Sequence, residues 1–200
     1  YQKKNSKKNE THYQMLKNLQ FSEAQQLELI NFCKKKKIEF LSTPFDVEDA
    51  KLLSKYKIKK FKTSSADLTD YFLHNFLSRN AKEVIISTGM SNLKEISNTL
   101  KIYKNKKIKI TLLHCVSNYP CSDNSLNLNN ITTLKNTFKL PIGFSDHSNN
   151  KLAAITAMGL GCRVIERHIT LSKKMKGPDH LASDDPKQFK RYVKLIRNNE

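Results

Sequence analysis

Residues 140–170 read LPIGFSDHSNNKLAAITAMGLGCRVIERHIT, and this stretch decides the fold. Two short apolar runs, 140–144 and 164–165, each lead into a polar cluster: Ser145-Asp146-His147 and Glu166-Arg167-His168. Between them, residues 152–160 are rich in Ala, Leu, Ile and Met, the composition of a helix. Strand, helix and strand within this length predict a βαβ unit, whose strands are parallel neighbours in one sheet. Both histidines then sit at or near the carboxyl ends of adjacent strands, about 4.8 Å apart. Two imidazoles so placed can share one metal ion, with carboxylates nearby to orient them. One histidine alone would be read as a satisfied strand end; two, each beside or one residue from an acid, point to a site.

The same alternation extends outward from this unit. Ser22 with Gln25 forms a capping box ahead of Leu27, Ile30 and Cys33 at helical spacing. A short helix is expected over 11–19, whereas 1–9 is polar, basic and without period, and reads as a loop. Strands are expected to begin near residues 38, 60, 83, 110, 140 and 163, with helices over 71–77, 93–100 and 128–138 between them. Asp46 caps a further helix through Ala50 and Leu53. Asp185 with Pro186 opens a last one expected to bury Phe189, Tyr192, Val193 and Ile196. Repeats of this length suit successive βα units of an all-parallel sheet, either doubly wound or a (β/α)8 barrel. Thr43, Lys62 with Ser65, Ser87, Ser117, His147 and His168 all fall at or just past strand ends, and in a barrel those ends converge on one mouth. No glycine-rich phosphate fingerprint follows any strand, which counts against a Rossmann sheet. The expectation is an incomplete (β/α)8 TIM-type barrel, an α/β fold with six βα units visible and the first two strands missing.

Two hundred residues suffice for one domain with a real core. No apolar run of about 18 residues and no signal-peptide pattern occurs, so the expected location is the cytoplasm, with no membrane partner. Four cysteines without C-x-x-C spacing agree, and Cys33, Cys115 and Cys162 sit among apolar residues as buried thiols. The net charge of +18 raises nucleic acid as a partner. Only five of the 36 basic residues are arginine, however, and the lysines are scattered, with 34–37 the longest run. A solvated surface that secondarily attracts an anionic substrate is the better account.

Seven pieces carry a resemblance to a known family: FLSTPFD (40–46), KFKTSSADLTD (60–70), IISTGMSNLKEI (85–96), LLHCVSNYP (112–120), IGFSDHS (142–148), VIERHIT (164–170) and KGPDHLAS (176–183). In this order, over nearly the whole chain, they resemble the sialic acid synthase family, which includes legionaminic and pseudaminic acid synthases. The resemblance implies a (β/α)8 barrel that condenses phosphoenolpyruvate with an open-chain N-acetylated amino sugar to a sialic-type acid plus phosphate. It implies a divalent metal, manganese with magnesium or cobalt as alternatives, held by residues matching His147 and His168. Lys62 matches the lysine that pairs with the phosphoenolpyruvate anion. Thr43, Ser65 and Ser87 match phosphate or carboxylate contacts, and Ser117 stands where many relatives have Asn. Asp67 matches a sugar contact, Tyr119 a pocket tyrosine, Ser145 a further substrate contact, and Glu166 an acid beside the reacting centre. Asp179 lies in a loop that covers the site.

By the same resemblance, a first-strand glutamate, a second lysine on the second strand and a small C-terminal antifreeze-like domain are missing, so residues 1–200 are expected to be one N-terminally truncated barrel domain. The longer protein is expected to be a homodimer. Two other function classes stay open: a Schiff-base aldolase using Lys62, and a non-catalytic basic binding module.

Overall fold

A computed structural model describes residues 11–200, so the loop expected over 1–9 lies outside the described residues. The chain enters through two helices, α1 (His12–Leu19) and α2 (Glu23–Lys35). Both open with capping boxes, Thr11 with Gln14 and Ser22 with Gln25, which satisfy backbone N–H groups of the first turn. Asp46 caps α3 (Val47–Lys55) by accepting from the Asp49 N–H. Then follow β1 (Lys60–Thr63), α4 (Tyr71–Asn80), β2 (Glu83–Ser87), α5 (Leu93–Ile102) and β3 (Lys109–Cys115). A 3-10 turn at Asp123–Ser125 leads to α6 (Asn129–Phe138), β4 (Ile142–Asp146), α7 (Leu152–Gly159), β5 (Ile165–Arg167) and α8 (Pro186–Arg197).

Among the described residues the five strands pair in parallel, and their spatial order is their sequence order. A doubly wound sheet reverses its strand order at a switch point, and no reversal occurs here. The sheet is the arc of a barrel, about half of one. Strand alternation sorts its side chains. Phe61, Val84, Ile86, Leu112, Ile142 and Phe144 are buried in one cluster with Leu53 of α3, Leu73 and Leu77 of α4, Ile96 of α5, Ile131 of α6 and Ala153 of α7. That is the outer face, covered by helices. The residues between them (Lys62, Ser87, Cys115, Ser145, Glu166) therefore point to the inner face. Gly143 lies on that inner parity because a Cβ there would meet Leu113 Cδ2 and the Val164 carbonyl at 2.5 Å.

Several expectations need correction. Residues 38–43, expected to be a strand, form none. One backbone bond, from Lys62 N–H to the Ser42 carbonyl at 3.4 Å, ties them to β1, and a single bond is no ladder. The helix expected over 71–77 runs on to Asn80, and the strands expected from 140 and 163 start at Ile142 and Ile165. Cys33 is half-buried rather than buried, and in α2 no residue is buried. Val193 is exposed, so α8 packs chiefly through Tyr192. No described helix is long and apolar enough to cross a membrane.

Candidate functional site

The carboxyl ends of β1 to β5 bring the inner-face residues together. Ser145 and Glu166 are register partners on β4 and β5, and Ser145 Oγ donates to Glu166 Oε1 at 2.7 Å. The other oxygen of that carboxylate, Oε2, lies 3.5 Å from Lys62 Nζ across the arc. One residue past β4 is His147, and one past β5 is His168; their ring centroids are 5.3 Å apart. Tyr119, from the loop after β3, lies 4.0 Å from the His147 ring and 5.6 Å from that of His168. Burial pushes its phenol up to about 12, helped by Cys115, Asp179 and Glu166. It therefore stays a neutral hydroxyl, and Asp179 is near enough to contribute charge.

His147 has a defined role for each nitrogen. Its Nδ1 lies 2.9 Å from the Val116 carbonyl, which can only accept, so Nδ1 carries the hydrogen and Nε2 keeps its lone pair. Burial lowers its pKa, partly offset by the Val116 bond and reinforced by His168. The neutral imidazole thus offers Nε2 towards Ser145 Oγ, 3.4 Å away. A carbonyl that fixes the tautomer in this way is a common support for metal-binding histidines. Two neighbouring imidazoles fit a divalent transition ion. Among the described residues no group of three His, Cys, Asp or Glu side chains is placed to hold a metal ion, so an ion bound here would need donors beyond the two imidazoles.

A second gathering lies where the loops after β1, β2 and β3 meet. The Gly89 N–H donates to Ser65 Oγ at 3.0 Å, and a Cβ on Gly89 would come within 2.6 Å of Ser117 Oγ and 2.8 Å of Ser65 Oγ. Ser87 Oγ is buried without a hydrogen-bond partner among the described residues. The hydroxyls of Ser65, Ser87 and Ser117 at the ends of β1, β2 and β3 can donate to an anion. Asp67 is tied to Ser64 Oγ at 2.5 Å, and burial raises its pKa. Thr43 lies on the segment beside β1 and shares no hydrogen bond with these groups. A cavity of about 810 Å³ lies between α5 and α6 and borders the site along Thr88 and residues 115–118, with neither His147 nor His168 in its lining.

Four residues now stand out that the pattern of strand ends did not single out: Gly89, Arg167, Asp184 and Tyr192. Arg167 Nε and Nη2 bind the two oxygens of Asp184 at 3.0 and 3.2 Å, and Nη1 lies 3.2 Å from Asp146 Oδ2. Tyr192 OH donates to the same Asp146 oxygen at 2.8 Å, while Ser148 N–H and Oγ both donate to Oδ1. The three charged side chains are at most 5% exposed. A signal for the pair was present in the sequence. Asp146 and Arg167 share the parity of Phe144 and Ile165, so opposite charges occupy core-facing positions of neighbouring strands.

An arc of parallel strands whose carboxyl ends gather a histidine pair, a lysine and a cradle of hydroxyls is part of a βα-barrel enzyme fold. The NeuB family model matches residues 1–200, and the chain belongs to that family. An uncharacterized protein of Methanocaldococcus jannaschii is 44% identical over 193 residues, 96% of this chain and 57% of its own length. An N,N'-diacetyllegionaminic acid synthase of Campylobacter jejuni is 42% identical over 200 residues, 98% of this chain and 60% of its own. Among solved structures, the N-acetylneuraminic acid (sialic acid) synthetase of Leptospira borgpetersenii, crystallised with citrate, superposes with a TM-score of 0.90 at 31% identity. That match covers 99% of this chain and 70% of the other. The chain spans 57% and 60% of the two curated relatives.

Proposed function

We propose that this chain is the central part of the catalytic barrel of a cytoplasmic, homodimeric sialic-type acid synthase. The reaction joins C3 of phosphoenolpyruvate to the aldehyde carbon of an open-chain N-acetylated amino sugar. Water then adds at C2 and phosphate leaves. The observation that carries the reading is the convergence of Lys62, Ser145, Glu166, His147 and His168 on the inner face of one parallel sheet. The named relative at 42% identity makes a 2,4-diacetamido-trideoxyhexose the first sugar to test, with N-acetylmannosamine the second.

A divalent ion, manganese or else magnesium or cobalt, held by His147 and His168 supplies a Lewis acid for the sugar carbonyl oxygen. The chain's own residues do the rest. Lys62 neutralises the phosphoenolpyruvate anion, and the hydroxyls of Thr43, Ser65, Ser87 and Ser117 hold its phosphate or carboxylate oxygens. Glu166, anchored by the Ser145 hydroxyl, is poised to take a proton from the water that attacks C2. Tyr119 walls the pocket, Asp67 contacts the sugar, and Asp179 lies in the loop that covers the site. Lys62 Nζ already faces the Glu166 carboxylate at 3.5 Å, whereas a Schiff-base enzyme needs that nitrogen free to attack a carbonyl. A binding module has no use for a half-buried lysine paired with an acid on the inner face of the sheet.

The 200 residues alone are expected to be an incomplete enzyme with negligible turnover, so phosphate release from phosphoenolpyruvate, assayed with each sugar on the longer protein that carries them, tests the reading. Release that depends on sugar, and is lost on chelation and in His147→Ala and His168→Ala, is expected. Sugar-independent release, or full activity in chelator, would sink it.

A further inference from the structure

The guanidinium of Arg167 does more than neutralise two buried acids. Besides its carboxylate contacts, Nη1 donates to the Asp146 carbonyl at 3.3 Å and to the Ser148 carbonyl. Those are the carbonyls of the residues on either side of His147. Arg167 itself is the residue before His168. Its bidentate partner, Asp184, donates its own N–H to the His168 carbonyl at 3.0 Å. The Thr170 N–H donates to the Asp184 carbonyl at 2.9 Å. On the β4 side, the Cys121 N–H holds the His147 carbonyl at 2.9 Å. One planar fork therefore grips the backbone on both sides of the first histidine and, through Asp184, the backbone of the second.

Geometry makes this arrangement hard to replace. A guanidinium presents five N–H donors in a fixed plane, whereas a lysine ammonium offers three on a flexible stem. Asp146 is saturated by Ser148 and Tyr192, which leaves it no freedom to follow a displaced cation. The strands alone do not fix this end of the site: β5 has three residues, and its register with β4 ends at Asp146 and Arg167. Both histidines lie one residue beyond the last ladder pair.

We infer that Arg167, clamped by Asp146, Asp184 and Tyr192, is a positioning residue that sets the distance and orientation of the His147–His168 pair. It touches neither ring and no reacting atom. It acts through the backbone of the two residues that carry the imidazoles. This inference rests on the proposed metal role of those histidines, and the experiment separates the two ideas.

Cobalt(II) is titrated into the full chain and followed by calorimetry and by its visible absorption, which reports ligand geometry without any turnover. Wild type, His147→Ala, Arg167→Lys, Asp184→Asn and Tyr192→Phe are compared below the unfolding temperature of each. Outer supports of metal ligands commonly alter affinity by about 10–100-fold. Arg167→Lys and Asp184→Asn are expected to lose that much affinity and to shift the cobalt spectrum. Tyr192→Phe, which removes one hydroxyl and no charge, should fold well and lose about threefold to tenfold. Variants that melt earlier yet bind cobalt with wild-type affinity and spectrum would overturn the inference, leaving the clamp a fold staple. If Arg167→Lys does not fold, Tyr192→Phe alone decides by the same criterion. No binding by wild type, or equal binding by His147→Ala, would overturn the metal reading and the inference with it.

Discussion

The two faces of the sheet at the ends of β4 and β5 differ although they are woven from the same two short runs, 145–147 and 166–168. On the outer face, Asp146 and Arg167 are closed on every side, with each oxygen of Asp146 meeting donors from Ser148, Tyr192 or Arg167. On the inner face, His147 keeps a free lone pair, Ser87 Oγ has no partner among the described residues, and Glu166 is shared between Ser145 and Lys62 at the looser distance of 3.5 Å. Asp146 and Arg167 have spent their hydrogen bonds. Groups that face the arc keep theirs in reserve. Ser54 Oγ, Thr63 Oγ1 and His74 Nε2 are also buried without a partner among the described residues, so the contrast belongs to these strand ends and not to the whole of either face.

The sharpest way to break the contrast is to exchange costs between the faces. Phe144, on the outer parity, is 1% exposed and stacks on the His114 ring at 5.9 Å. Phe144→Ala is expected to destabilise the chain by about 3–5 kcal/mol in denaturant titration, through lost burial and a cavity. Lys62→Met, on the inner parity, should do the reverse. Binding of phosphoenolpyruvate measured by calorimetry is expected to fall about 100-fold or more, while the unfolding midpoint moves by less than about 1 kcal/mol. Equal stability losses in the two variants would erase the distinction.

Acid provides a third test, directed at the outer layer alone. His74 of α4 is fully buried, with Nδ1 2.7 Å from the Tyr103 hydroxyl. Burial lowers its pKa from 6.5 to about 4, against the opposing pull of the Asp67 carbonyl and Asp70. The unfolded chain therefore binds more protons than the folded one between these two values, and stability rises with pH across that window. The contribution is complete above about pH 6.5 and is lost as pH falls towards 4, amounting to roughly 3 kcal/mol. His74→Gln should flatten that part of the stability profile. The smallest effect is expected from neutralising residues 34–37. All four are exposed, and phosphoenolpyruvate affinity should change less than about twofold at physiological salt. A large drop would mean that diffuse charge, not the inner face, holds the anion.

Much of this contrast could be read in the chain before any coordinates. Apolar runs of strand length ending in Ser, Thr or His gave the order of the units, and the histidine pair follows from two parallel neighbours ending at similar positions. Residues 38–43 were misjudged because Ile38, Phe40 and Leu41 carry strand composition, yet a strand is defined by its partners, and one bond to β1 does not make a ladder. Val193 was misplaced for a related reason, since the helical stripe of α8 is broader than the surface it meets. The clamp was the least legible part. Arg167 and Asp184 are 17 residues apart, and Tyr192 and Asp146 are 46 apart, separations that no local period encodes. Only the parity of Asp146 and Arg167 hinted at it.

The contact of Gly89 with Ser65 and Ser117 has an engineering consequence. Barrel enzymes are often treated as a fixed scaffold carrying interchangeable loops, each open to revision by itself. Here the loops after β1, β2 and β3 share one point, with no room for a single methyl group between them. A new loop grafted after any one of these strands must reproduce the shape of that junction or displace the other two. For this part of the barrel the unit of exchange is the trio, and a library that varies one member while freezing its companions samples mostly broken junctions.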